Sequence, residues 1–182
     1  MKIRNKPILK VLILFITVSF FIVLGLSLYN NYYYKDTYYI IKPLPCDVPI
    51  KIRVDRYGDG HFGAPRHGYK HRGIDILADI GTPVLACKSG RVLKVAYDEL
   101  SGNYVMIKHK DKLTSLYLHL KDVYVKEGMR LRQGEVIGTV GKTGNARYKG
   151  IKPHLHFEVR KDGVAQNILK VYELKSLTDD KN

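Results

Sequence analysis

Three short stretches hold residues able to bind a metal ion and move protons: His71-Arg-Gly-Ile-Asp75, Leu118-His119-Leu120 and His154-Leu155-His156-Phe157. Together they supply three ligands for a catalytic zinc ion and leave two imidazoles over. A hydrolytic metal site needs that inventory: three protein ligands, an open position for water, and groups beside it that handle protons. Taken singly, each stretch is a common surface pattern. The inference rests on the three together, on β-structure, in a domain outside the cytoplasm.

The elements that must position these residues are strands. In His154-Leu-His-Phe-Glu-Val the even positions His154, His156 and Glu158 share one face, and Leu155, Phe157 and Val159 enter the core. Two imidazoles so placed have Cα atoms about 7 Å apart, so one can hold a metal while the other touches its water. His71 and Asp75 would lie about 13 Å apart on an ideal strand, too far for metal bonds near 2 Å. The backbone must therefore bend between them, and Gly73 permits it. In Leu116-Tyr-Leu-His-Leu120, leucines facing the core would put Tyr117 and His119 in the cleft, with His119 a proton-handling neighbour of the metal.

From about Ile50 the chain reads as all-β. Runs such as Gly90-Arg-Val-Leu-Lys-Val-Ala-Tyr97, Asn103-Tyr-Val-Met-Ile-Lys-His109 and Leu113-Thr-Ser-Leu-Tyr-Leu-His119 are short, alternating and rich in β-branched or aromatic residues. Glycine and polar clusters, among them Ser101-Gly-Asn103, Lys126-Glu-Gly128 and Lys161-Asp-Gly163, punctuate them. Many short strands at this spacing predict a compact antiparallel sheet, a barrel or sandwich.

The run Val11–Leu28 carries no charge and is long enough to span a bilayer as a helix. Lys2, Arg4, Lys6 and Lys10 precede it and the first acidic residue is Asp36, so the positive-inside bias puts the N-terminus in the cytoplasm. A cleavable signal peptide has a shorter apolar core, about 7–15 residues, and Gly25-Leu-Ser27 is a weak cleavage site, so a retained anchor is the preferred reading. The expected organisation is a basic cytoplasmic tail over 1–10, a transmembrane signal-anchor over 11–28, and a juxtamembrane linker over 29–49. A catalytic domain follows over 50–165, then a tail over 166–182. The tyrosines from Tyr29 to Tyr39 suit the lipid–water boundary, and Lys42-Pro-Leu-Pro45 with Pro49 blocks regular helix.

The formal charge is +14, and residues 36–182 keep a clear basic excess. A basic body outside the cytoplasm suits an anionic partner such as cell-wall polymer or a membrane surface. That location disfavours nucleic acid. The two cysteines, Cys46 and Cys87, have the option of pairing in an oxidising compartment, or Cys87 serves as a small apolar core residue.

At the metal-site residues the chain resembles the lysostaphin/LytM-type zinc peptidases, which cut peptide bonds in bacterial peptidoglycan. The resemblance runs from about Arg56 to Arg160. It covers Phe62-Gly-Ala-Pro-Arg66, His71-Arg-Gly-Ile-Asp-Ile76, Gly81-Thr-Pro-Val84, Ser89-Gly-Arg-Val92, Leu116-Tyr-Leu-His-Leu120, Gln133-Gly-Glu-Val-Ile-Gly138, Gly141-Lys-Thr-Gly144 and His154-Leu-His-Phe-Glu158. The resemblance implies one Zn2+ held by His71, Asp75 and His156, with His119 and His154 as the catalytic pair near the water and the developing oxyanion. Which of the two is the base stays open. It also implies a membrane-anchored metalloendopeptidase whose partners are peptidoglycan stem or cross-link peptides. One departure is the longer segment Asn145–Pro153 before His154, which leaves substrate preference open and offers Arg147, Tyr148, Lys149 and Lys152 to a ligand. His61 and His67 are read as non-ligands, with His67 near the cleft. The alternative is a non-catalytic cell-wall-binding or hydrolase-activating module of the same fold. A carrier barrel resembling biotinyl or lipoyl domains lacks a convincing modifiable lysine.

Overall fold

The computed structural model describes residues 6–33, 35–36, 40–66 and 68–170, and the chain divides into two units between Lys35 and Asp36. The first contains one helix, α1 (Lys6–Tyr33). Its stretch Pro7–Tyr32 has the length and composition to cross a membrane. At 1.5 Å per residue those 26 residues reach about 39 Å, against a hydrocarbon core of about 30 Å. The helix runs past Leu28 into residues expected as linker, because neither glycine nor proline interrupts Leu28–Tyr33.

The second unit is mostly β-sheet. Two small hairpins come first, β1 (Val54–Asp55) with β2 (Gly58–Asp59) and β3 (Pro65–Arg66) with β4 (Tyr69–Lys70). Nine further strands build one sheet: β5 (Ile74–Leu77), β6 (Pro83–Leu85), β7 (Gly90–Asp98), β8 (Gly102–His109), β9 (Leu113–Val123), β10 (Arg130–Leu131), β11 (Val136–Val140), β12 (His154–Lys161) and β13 (Val164–Gln166). The order is β10-β7-β8-β9-β11-β6, and β12 branches from β9 to pair with β5 and β13. Its pairings are antiparallel.

One feature of β9 positions the site. From Leu113 to Leu118 this strand pairs with β12, and from Leu120 to Val123 with β11. The change of partner falls at His119, whose φ of 64° breaks the strand twist. On the other side, Val105 faces Tyr117 but Asn103 faces Leu120, so β9 carries an extra residue there. Such a bulge bends the strand and re-aims a side chain. It also overturns the expected alternation. Tyr117 is wholly buried in the core, against Phe157 at 5.3 Å between ring centres, while Leu118 is half-buried. Its hydroxyl accepts the Cys87 N–H at 2.9 Å and meets Ser115 Oγ at 3.0 Å, which satisfies a polar group in an apolar place.

Residues 40–49 belong to the body of the second unit. Ile40 and Leu44 are buried in its core, and the Ile41 N–H donates to Cys87 O. The Leu85 N–H donates to Pro43 O, so this strap covers the edge of β6, where an open strand would invite other chains. The prolines do exclude helix, but the apolar residues among them pack. Asp36 adds an ion pair with Lys88 at 2.7 Å. Both cysteines are free, Cys46 exposed and Cys87 buried.

Candidate metal centre

β5 and β12 lie side by side with Asp75 opposite His156 and Leu77 opposite His154. That register puts the carboxylate and one imidazole on the same face of adjacent strands. His71 precedes β5 and reaches the same point because the chain bends at Gly73. Glycine is needed there for closeness. A Cβ on residue 73 would lie 2.5 Å from Phe157 O and 2.9 Å from His156 Nε2.

Three atoms converge: His71 Nε2 is 2.9 Å from His156 Nδ1 and 3.1 Å from Asp75 Oδ1, and the last two are 2.9 Å apart. Bonds of about 2.0–2.1 Å to a tetrahedral ion space its ligands by about 3.3 Å, so the set fits zinc after a small expansion. Among the described residues this is the one group of three or more His, Cys, Asp or Glu side chains spaced to hold a metal ion. Two of the three, His71 and Asp75, are oriented from behind. His71 Nδ1 donates to His61 O at 3.0 Å, leaving Nε2 as the lone-pair nitrogen.

Asp75 is gripped on its other oxygen. Arg53 donates to Asp75 Oδ2 at 2.9 Å and to Asp55 Oδ1 at 2.7 Å, and Arg66 stands 3.6 Å from Oδ2. Burial alone would raise the Asp75 carboxyl, but hydrogen bonds from His156 and His71, with the charge of His156 and His154, hold it well below the usual carboxylate range. It stays an anion, ready to ligate. Arg53 and Asp55 were missed in the sequence because no spacing rule links them to Asp75. Only their alternation in Arg53-Val-Asp55 hints at a shared face.

His119 and His154 stand next to the ligands. Their ring centres are 5.0 Å apart, and His119 is 6.2 Å from His156. His119 Nδ1 donates to Thr143 O at 3.1 Å, and His154 Nδ1 donates to Lys152 O at 2.7 Å. Both thus keep Nε2 as an acceptor when neutral. Burial, then the neighbouring imidazoles, pushes His119 down to about 3, and burial lowers His154 as well. Near neutral pH both are uncharged bases. The left-handed φ of His119 costs of order 1–3 kcal/mol, a strain of the kind that gathers at functional sites.

The longer segment before His154 begins with a 3-10 turn, Gly144–Arg147. It is tied at two points. Arg147 pairs with Glu99 at 2.7 Å, and the Tyr57 hydroxyl donates to Lys149 O at 2.7 Å. Lys152 and Pro153 line a cavity of about 470 Å³ with Asp47, Leu77, Asp79 and Thr82. The exposed His61 pairs with Asp59 and contributes only its carbonyl to the centre. His67 lies outside the described residues.

Two histidines and a carboxylate on an antiparallel sheet, with two neutral imidazoles beside them, form a group that could hold a metal ion next to proton acceptors. Residues 69–168 match the model of Peptidase family M23, more than half of the chain, and the chain belongs to that family. The peptidoglycan DD-endopeptidase ShyC of Vibrio cholerae is 43% identical over 110 residues, which cover 59% of this chain and 24% of that protein. The chain thus spans about a quarter of that relative's length. The catalytic domain of the antimicrobial peptidase lysostaphin from Staphylococcus simulans aligns at a TM-score of 0.53 and 30% identity, over 64% of this chain and 90% of that one. A structure of the SpoIIQ-SpoIIIAH pore forming complex aligns at 0.51 and 38% identity, over 56% of this chain and 64% of that one. The lysostaphin-type fold expected from the motifs is therefore the one observed.

Proposed function

We propose that the chain is a membrane-anchored zinc metalloendopeptidase that hydrolyses peptide bonds of bacterial peptidoglycan. The observation that carries the reading is the convergence of His71 Nε2, Asp75 Oδ1 and His156 Nδ1 to within 2.9–3.1 Å of one another, with two neutral imidazoles alongside. Zinc bound there supplies Lewis acidity toward water and toward the scissile carbonyl. Asp75 lowers the net charge of the centre, and Arg53 fixes the orientation of its carboxylate. One of His119 and His154 accepts the proton of the attacking water on Nε2, and the other, neutral in the resting site, takes up a proton from solvent on Nε2 as the oxyanion develops and donates a hydrogen bond to it. α1 serves as a single-pass anchor, with the basic N-terminus in the cytoplasm and residues 36–182 on the wall side.

The test digests purified peptidoglycans of several cross-link chemistries with the full chain in detergent, with and without chelator. Mass analysis of the fragments names the bond. We expect cleavage that stops on chelation and returns with zinc. A His154→Ala variant should keep stoichiometric zinc and lose at least about 100-fold in kcat, the usual scale of general acid–base catalysis. Full activity in that variant would remove His154 from the mechanism. The likeness to a protein solved in a pore forming complex favours a second reading, a binding module of the same fold. Stoichiometric zinc without cleavage of any preparation would select it.

A further inference from the structure

Five adjacent strands carry a single cross-strand row. Arg130 on β10 faces Arg91 on β7, Arg91 faces Lys108 on β8, Lys108 faces Thr114 on β9, and Thr114 faces Arg160 on β12. Residues directly opposed on antiparallel strands point to the same face. Four cations and a hydroxyl therefore stand in line, one strand spacing of about 4.8 Å apart, over about 19 Å. Burial agrees. Arg130, Arg91 and Lys108 are exposed, while Val92, Ile107, Ser115 and Val159, each one residue further along its strand, are buried.

The row shares its face with the metal centre. On β12, His154, His156, Glu158 and Arg160 alternate on one side, so Arg160 lies about 13 Å from His156 along the strand. Between them Met106, Leu116 and Glu158 form the next cross-strand row. The Glu158 carboxylate is taken by Arg160 at 2.8 and 3.0 Å. That leaves the charges of Arg91 and Lys108, at the row's centre, without a carboxylate partner among the described residues. Arg91 is fixed in place by its Nε–H, which donates to Gly128 O at 3.0 Å. Like charges directly opposed weaken a sheet. Folding gains nothing from this alignment, whereas an anionic ligand does.

We propose that this row is a substrate exosite that binds free carboxylates of the peptide strand whose amide lies at the metal centre. Lys108 and Arg91 lie two and three strand spacings across from Arg160, about 16 and 19 Å from His156, so at about 3.3 Å per extended residue the bound carboxylates sit roughly five to six residues from the scissile bond. Arginine forks and the lysine ammonium match carboxylate oxygens through charge-assisted hydrogen bonds. The inference rests on the hydrolase reading for its substrate but not for its binding chemistry.

The test uses the full chain in detergent and the variant Arg91→Gln/Lys108→Gln, both of which are exposed positions outside the metal centre. Ligands are a soluble peptidoglycan peptide with free carboxylates, the same peptide with those carboxylates amidated, and a phosphodiester wall polymer. Binding is read by fluorescence anisotropy with zinc present and, separately, after chelation. We expect the variant to bind the free-carboxylate peptide at least about tenfold more weakly, the scale of one charge-assisted hydrogen bond. Its affinity for the amidated peptide should not change, and its salt dependence should be shallower. Where cleavage occurs, KM should rise with kcat unaltered. Equal affinity of variant and parent for the free-carboxylate peptide would overturn the exosite, as would preferential binding of the phosphodiester polymer. Wild-type binding that depends on the row, without any cleavage, would leave the exosite standing and remove the hydrolase reading instead.

Discussion

Asp75 shows how much a candidate metal ligand owes to residues outside the group of three. One oxygen faces His71 and His156 and the other lies against Arg53, so the carboxylate has a single usable orientation. His119 gives the residue scale its sharpest prediction. In the unfolded chain its imidazole titrates near 6.5, but in the fold it holds out until about 3. Below 6.5 the unfolded state therefore takes up the proton first. The stability this neutral histidine contributes is complete above pH 6.5 and is lost as the pH falls toward 3. His154, also lowered by burial, acts in the same direction. Urea unfolding of the chelated protein across that window should show stability falling with acid, and His119→Gln should flatten the slope. An unchanged slope would mean that His119 is not buried as described. The five candidate residues stood out in the sequence because their types occur together at these spacings, whereas the roles given to each came only from the family resemblance. Arg53 did not stand out, since it acts from 22 positions away with no motif of its own.

Elements decide whether those residues meet. β5 and β12 must run close enough for Asp75 and His156 to oppose, and Gly73 is where a side chain would stop them. Gly73→Ala introduces a Cβ 2.5 Å from Phe157 O. The expected outcome is a loss of about 1–3 kcal/mol in urea unfolding, with zinc affinity falling because His71 is displaced. A variant as stable and as zinc-loaded as the parent would show that the bend tolerates a side chain. Strand alternation in the sequence correctly separated His154 and His156 from Leu155 and Phe157. It failed at Tyr117 for a physical reason. Alternation assumes an unbroken pleat, and the bulge at His119 has no glycine to announce it. The same bulge places His119 where β9 leaves one neighbour for another, two residues beyond the misread Tyr117.

Across the whole body, the strap over residues 40–49 was the least legible part. Its prolines read as linker, and only the buried Ile40 and Leu44 reveal a structural element. Leu44 is 2% exposed, so Leu44→Ala should cost about 2–5 kcal/mol and lower Tm, while zinc content at low temperature stays stoichiometric. A Tm equal to the parent's would mean that the strap is peripheral. The all-β body and its short strands were plain from the sequence, whereas the branching of the sheet was not, since periodicity gives faces and not partners.

That branching sets an order of events in time. β12 lies between β5 and β9 and supplies His154 and His156, yet among the described strands only β13 follows it. A chain emerging from its N-terminal end carries His71, Asp75 and His119 long before their partners exist. During that interval β5 and β9 have nothing to join them, and the two halves of the centre remain apart. The five side chains therefore come together only after β12 has been made, and no N-terminal piece of this chain that stops short of β12 can assemble them.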